Sequence, residues 1–103
     1  MAKVSGNYEV LYIINPALGE EDTAALVARF KELAEGHGTV AEVDEWGKRR
    51  LAYPIKNHMG KPVTEGYYVL MTFTADPAFP AELDRLMRIN INVMRSIIVS
   101  KED

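Results

Sequence analysis

Apolar side chains fill both parities of residues 7–14. Tyr8, Val10, Tyr12 and Ile14 point one way, and Leu11 and Ile13 point the other. A strand that is apolar on both faces belongs inside a sheet. Asn15-Pro16 stops it, because proline has no N–H to give to a ladder. From Glu20 to Glu35 the period lengthens: Leu26, Phe30 and Leu33 recur at spacings of four and three, and Val27 and Ala34 widen the stripe. That spacing predicts a helix. Glu20, Glu21 and Asp22 suit the positive end of its dipole, and Gly36 is expected as the left-handed residue that ends it.

Residues 39–55 form a long extended segment. Its 17 residues exceed the usual strand length of about five or six, so Gly47 is expected to mark a bulge and Pro54 to require a sheet edge. Residues 56–64, with Gly60 and Pro62, make the turn. Residues 65–74 return as a second central strand, with Tyr67, Val69, Met71 and Phe73 on one side and Tyr68, Leu70 and Thr72 on the other. Asp76-Pro77 breaks it. A helix over residues 78–89 buries Leu83, Leu86 and Met87, and residues 93–100 form a last strand with Val93, Ile97 and Val99 expected on one face.

The order βαββαβ predicts a ferredoxin-like α+β domain over residues 1–103, a four-stranded antiparallel sheet with both helices on one face. Its first and third strands are central, and its second and fourth are edges.

Composition narrows the function. The chain has 103 residues, no cysteine and a net charge of −3. Disulfides and thiolate metal sites are excluded, and no cofactor or metal is expected. No apolar run approaches the roughly 20 residues of a membrane helix, and Met1-Ala2-Lys3-Val4-Ser5-Gly6 lacks the apolar core of a signal peptide. A cytoplasmic protein is the simplest expectation. An acidic chain does not grip nucleic acid over its whole surface, since phosphate neutralisation requires local positive charge. There is no Ser-His-Asp set or glycine-rich phosphate loop, and alternation divides Glu42, Asp44 and Glu45 between two faces. No enzyme is expected, and His37 is read as a loop side chain rather than a ligand.

One stretch reverses the charge. Lys48, Arg49 and Arg50 stand before the apolar run 51–55, and Lys56, His58 and Lys61 follow in the turn. If the hairpin pairs evenly about Gly60, Val43, Leu51, Tyr53 and Ile55 face the helices. Trp46, Lys48, Arg50 and Ala52 then share the helix-free face with Tyr68, Leu70 and Thr72. Basic and aromatic side chains on such a face suit phosphates and stacked bases. The same charges also protect an edge strand from pairing with another molecule, and Trp46 also suits the role of a cover over apolar surface or of a protein contact. Two alternatives stay open on these residues: an independent single-stranded RNA binder that stacks bases on Trp46 and Tyr68, and an oligomeric ligand-binding module of ferredoxin-like type.

Tyr8-Glu9-Val10, the run Trp46-Gly47-Lys48-Arg49-Arg50-Leu51-Ala52-Tyr53-Pro54-Ile55, Gly66-Tyr67-Tyr68, and Arg88-Ile89-Asn90-Ile91-Asn92-Val93-Met94-Arg95 together resemble the bacterial small-subunit ribosomal protein S-six family. The resemblance spans nearly the whole chain. It implies a ferredoxin-like, non-catalytic ribosomal protein that binds the central domain of small-subunit rRNA as a heterodimer with a small basic partner, ribosomal protein S-eighteen. The partner would bring much of the positive charge. Lys48, Arg49 and Arg50 match the family's basic pair, and Arg88 and Arg95 match arginines around its final turn. With Trp46, Lys56 and Lys61 these are the expected contacts with RNA or partner. Two features depart from some relatives: Gly6-Asn7 stands where arginines precede the first strand, and the sequence runs only to Lys101-Glu102-Asp103 after the last one.

Overall fold

The computed structural model describes residues 6–56 and 60–101; His58 lies outside them. Strands β1 (Gly6–Ile14), β2 (Gly38–Lys56), β3 (Pro62–Ala75) and β4 (Val93–Ser100) form one sheet in the order β2-β3-β1-β4. Every pairing is antiparallel. Helix α1 (Glu20–Glu35) lies over β2 and β3, and α2 (Phe79–Ile89) over β4. This is the expected ferredoxin-like arrangement, with β1 and β3 central.

Local chemistry fixes the joints. The Asn15 side chain accepts from the Ala17 N–H at 3.0 Å, while the Asn15 backbone N–H donates to the Asn92 carbonyl at 2.8 Å. Together they tie the end of β1 to the turn that starts β4. Asp76 Oδ1 accepts from the Ala78 N–H at 3.0 Å, a local turn that opens α2. Gly36 departs from the expected left-handed cap, with a φ of −71° in the right-handed region. Its N–H closes the helix on the Glu32 carbonyl at 3.0 Å.

A single apolar layer lies between sheet and helices. Val10, Tyr12 and Ile14 of β1 meet Val69, Met71 and Phe73 of β3 beneath Leu26, Val27, Phe30, Phe79, Leu83 and Met87. All of these are buried, because one parity of each central strand points at the helices. Tyr12 packs edge-on against Phe30 at 5.3 Å, an arrangement aromatic quadrupoles favour.

The β2–β3 hairpin departs from even pairing. Its register shifts between Val40 and Glu42, between Glu45 and Gly47, and between Arg50 and Ile55. Gly47 adopts a φ of +83°, the left-handed conformation that one form of bulge requires. At the third shift Leu51, Ala52, Tyr53 and Pro54 lie against the lone residue Thr64. Each one-residue slip exchanges the faces of everything beyond it, so the parity expected from the sequence fails here.

Lys48 pairs with Tyr67 on the helix side, and Arg50 pairs with Glu65 on that same parity. Trp46 remains on the helix-free face, with Arg49 rather than Lys48 beside it. Leu51 is buried, but it reaches the helix-free side of Gly66, where Ile13 also packs. Tyr53, expected in the core, is 81% exposed.

A similar slip between Ile13 and Ile14 separates Val93 from the strand face it was expected to share. Val93 enters the core, while Ile97 and Val99 are exposed.

Candidate nucleic-acid interface

β3 meets β1 only from Tyr67 onward, whereas it pairs with β2 back to Pro62. Beyond Tyr67 the hairpin is therefore a two-stranded arm, and it contributes to extents of 50 × 24 × 23 Å. Gly66 forms its root. A Cβ on Gly66 would stand 2.3 Å from Ile13 Cγ2 and 3.5 Å from Leu51 Cδ2, so only glycine lets Ile13 close over the junction.

The charges follow this geometry. Residues 48–65 carry five of the chain's twelve Lys and Arg but one of its fifteen carboxylates, which leaves seven cations and fourteen carboxylates elsewhere. The arm is thus locally cationic on an acidic protein. Lys61 is exposed next to Gly60, near the tip.

Three of the expected residues come together. Lys56, Arg88 and Arg95 line one depression of about 370 Å³ together with Met87, Val93, Met94 and Ser96. They come from β2, the end of α2 and the start of β4, so the fold gathers cations that lie far apart in sequence. Arg88 Nε also donates to Asp84 Oδ2 at 2.8 Å, with the Arg88 side chain 76% exposed. This contact directs the guanidinium but leaves it open to solvent. Three cations around a concavity lower the cost of bringing in a phosphate, and charge-assisted bonds to it are among the stronger polar contacts.

Trp46 and Arg49 form a separate group. The Trp46 ring stacks on Tyr68 with centroids 6.1 Å apart and planes 10° apart, and the Arg49 guanidinium lies 5.7 Å from the Trp46 centroid. Trp46 Nε1 donates to Asp44 Oδ2 at 3.1 Å. The indole is held by its neighbours rather than presented alone.

Lys48 belongs to neither group. It lines a hollow beneath the start of α1 with Glu20, Thr23, Glu45 and Tyr67. There the Tyr67 hydroxyl donates to Glu45 Oε1 at 2.7 Å, and this bond, with burial, pushes the Tyr67 phenol up to about 12. Arg50 is exposed on the arm opposite Glu65.

The expected residues therefore spread over several surfaces instead of forming one cluster. Sequence reasoning missed the Tyr67–Glu45 bond, because it depends on the slip at Gly47. It also missed Tyr53 as a surface residue. The signal for that was Pro54, which constrains the preceding residue and withholds an N–H from the ladder.

Among the described residues no three His, Asp or Glu side chains converge at metal distance. His37 is stacked on Phe79, with ring centroids 4.5 Å apart. No described helix is long and apolar enough to cross a membrane.

Comparison with known proteins gives a consistent answer. The family described as Ribosomal protein S6 matches residues 7–100. Small ribosomal subunit protein bS6 of Clostridium novyi is 50% identical over 97 residues, covering 93% of this chain and 97% of that protein. The protein of the same name from Clostridium kluyveri is 51% identical over 98 residues, covering 94% and 98%. The crystal structure of 30S ribosomal protein S6 from Thermotoga maritima superposes with a TM-score of 0.84 at 29% identity, covering 95% of this chain and 89% of that one. The chain belongs to the Ribosomal protein S6 family of the small ribosomal subunit.

Proposed function

We propose that this small-subunit ribosomal protein is a non-catalytic, cytoplasmic, ribosome-associated structural component, acting as one domain. In this reading it binds the central domain of small-subunit rRNA jointly with ribosomal protein S-eighteen. The observation that carries the reading is the segregation of charge: a cationic arm and a three-cation depression on a chain of net charge −3. Contacts from Lys48, Arg49, Arg50, Lys56, Lys61, Arg88 and Arg95 to phosphate position RNA without reading its sequence. A basic partner supplies the positive charge that the rest of the surface lacks.

The test is RNA binding against salt concentration with the partner protein present. Replacing Lys48, Arg49 and Arg50 by Ala is expected to weaken binding. It should also reduce the log–log salt slope by roughly 0.7–0.9 for each phosphate that is no longer neutralised. An unchanged slope removes this segment from the RNA surface. Stacking of bases on Trp46 is not needed. Short oligonucleotides alone are expected to leave the fluorescence of the lone tryptophan unchanged, because its ring is already engaged by Tyr68 and Arg49.

A further inference from the structure

Helix α2 carries two carboxylate–arginine pairs that differ in what they leave free. Arg85 Nε donates to Glu82 Oε1 at 2.9 Å and Arg85 Nη2 donates to Glu82 Oε2 at 2.8 Å, so Glu82 occupies one whole side of that guanidinium. Asp84 takes only the Arg88 Nε–H, at 2.8 Å. Among the described residues both Nη groups of Arg88 stay unengaged. An acid four residues before its base is the favoured order on a helix, and Arg88 stands in the last turn.

The two pairs also differ in place. Arg88 lines the depression with Lys56 and Arg95, whereas Arg85 does not. Arg88 lines a neighbouring hollow of about 480 Å³ as well, and Asp84 lines only that second one. The carboxylate thus meets Arg88 from the side away from the depression, which no carboxylate lines among the described residues. Lys56 and Arg95 have no ion pair among the described residues. Of the three cations, Arg88 alone has its direction fixed.

We propose, on the RNA-binding reading of this depression, that Asp84 is a positioning residue for phosphate. By holding Nε it aims the two Nη groups of Arg88 into the depression, as a fork for the two unesterified oxygens of one phosphodiester. A guanidinium is planar and its donors are rigidly arranged, so fixing one N–H orients the others. A carboxylate beside a phosphate site also repels the ligand. Orientation and repulsion act with opposite sign. Without Asp84, the exposed Arg88 side chain has to surrender its rotamer freedom when RNA arrives, a cost paid out of affinity.

Binding of a central-domain rRNA fragment by the complete chain, measured against salt with ribosomal protein S-eighteen present, tests this. Asp84→Ala should weaken binding about three- to tenfold, although it removes a negative charge. Glu82→Ala removes the same charge from the same helix and should leave binding unchanged or slightly tighter. Asp84→Asn keeps an acceptor oxygen for Nε without the charge, so it should bind at least as tightly as the unaltered chain. None of these should change the log–log salt slope, because Arg88 still reaches the phosphate. Arg88→Ala should reduce that slope by roughly 0.7–0.9, and in its background Asp84→Ala should cause no further loss.

Asp84→Ala binding as tightly as Glu82→Ala overturns the role of Asp84 and leaves the phosphate reading standing. A loss that Asp84→Asn shares, or one that persists in the Arg88→Ala background, does the same. Unchanged affinity and slope in Arg88→Ala remove phosphate from the depression and overturn both.

Discussion

Along β3 every second side chain from Val69 to Ala75 is buried beneath the helices, whereas its hairpin partner β2 changes register three times within 19 residues. The two strands are joined by one turn, yet only β3 is held by a neighbour on each side. Slipping β3 by one residue would turn Val69, Met71 and Phe73 out to solvent, so the core fixes it. β2 contributes Val40 and Val43 to the margin of the core and little beyond Gly47, so it can absorb extra residues. The lesson concerns where binding chemistry can sit. The strand with the lighter core duty carries Trp46, Lys48, Arg49 and Arg50, and its slips send those side chains to different faces.

Truncating one large side chain on each strand measures the difference between them most directly. Phe73→Ala, on β3, is expected to cost about 3–5 kcal/mol in urea unfolding. Tyr53→Ala, on β2, should stay within about 0.5 kcal/mol. Similar losses at the two positions would mean that the arm is part of the cooperative core and not an appendage to it.

Two glycines sharpen the contrast at the next scale. Gly47 has a φ of +83°, and a Cβ added there would meet nothing within 4 Å. The cost of Gly47→Ala is therefore purely conformational, about 1–2 kcal/mol, unless the bulge relaxes. Gly66→Ala instead meets Ile13 Cγ2 at 2.3 Å, so its cost depends on how far Ile13 can move. Combining it with Ile13→Ala should recover part of the loss from Gly66→Ala, whereas the same partner change should do nothing for Gly47→Ala. Equal recovery at both sites would show that the Gly66 junction is not steric.

The regular parts of the fold were legible because apolar period and element agree in them. Leu26, Phe30 and Leu33 announce α1, and Tyr67, Val69, Met71 and Phe73 announce β3 with the face they bury. Lys48 and Tyr53 were not legible, because parity counted from Gly60 holds only without slips. Gly47 signalled one of the three; those at 40–42 and 50–55 leave no comparable mark apart from Pro54. The gathering of Lys56, Arg88 and Arg95 was hidden for a different reason. It arises from tertiary placement of three elements, and no spacing within the sequence encodes it.

The finest comparison is between two tyrosines on the helix side of the sheet. The Tyr12 hydroxyl is fully buried with no hydrogen-bond partner among the described residues, while Tyr67 donates to Glu45. At neutral pH Tyr12→Phe removes an unsatisfied polar atom and should be neutral or stabilising by up to about 1 kcal/mol, whereas Tyr67→Phe should cost about 1 kcal/mol.

Alkali separates them further. Burial first, then the nearby Glu45 and Tyr67, push the Tyr12 phenol above its ordinary value, and the bond to Glu45 leads in raising Tyr67 to about 12. Both folded values lie above the unfolded value of about 10. Neither phenol makes stability depend on pH below about 10; above it the unfolded chain ionises first, so stability falls as pH rises from there through the folded value. Replacing either by Phe should flatten the decline in stability above pH 10. Glu45→Gln should move the Tyr67 ionisation seen by phenolate absorbance to lower pH, because it removes the charged acceptor that holds the proton on. A wild-type slope retained in Tyr67→Phe would show that this tyrosine does not carry the alkaline loss.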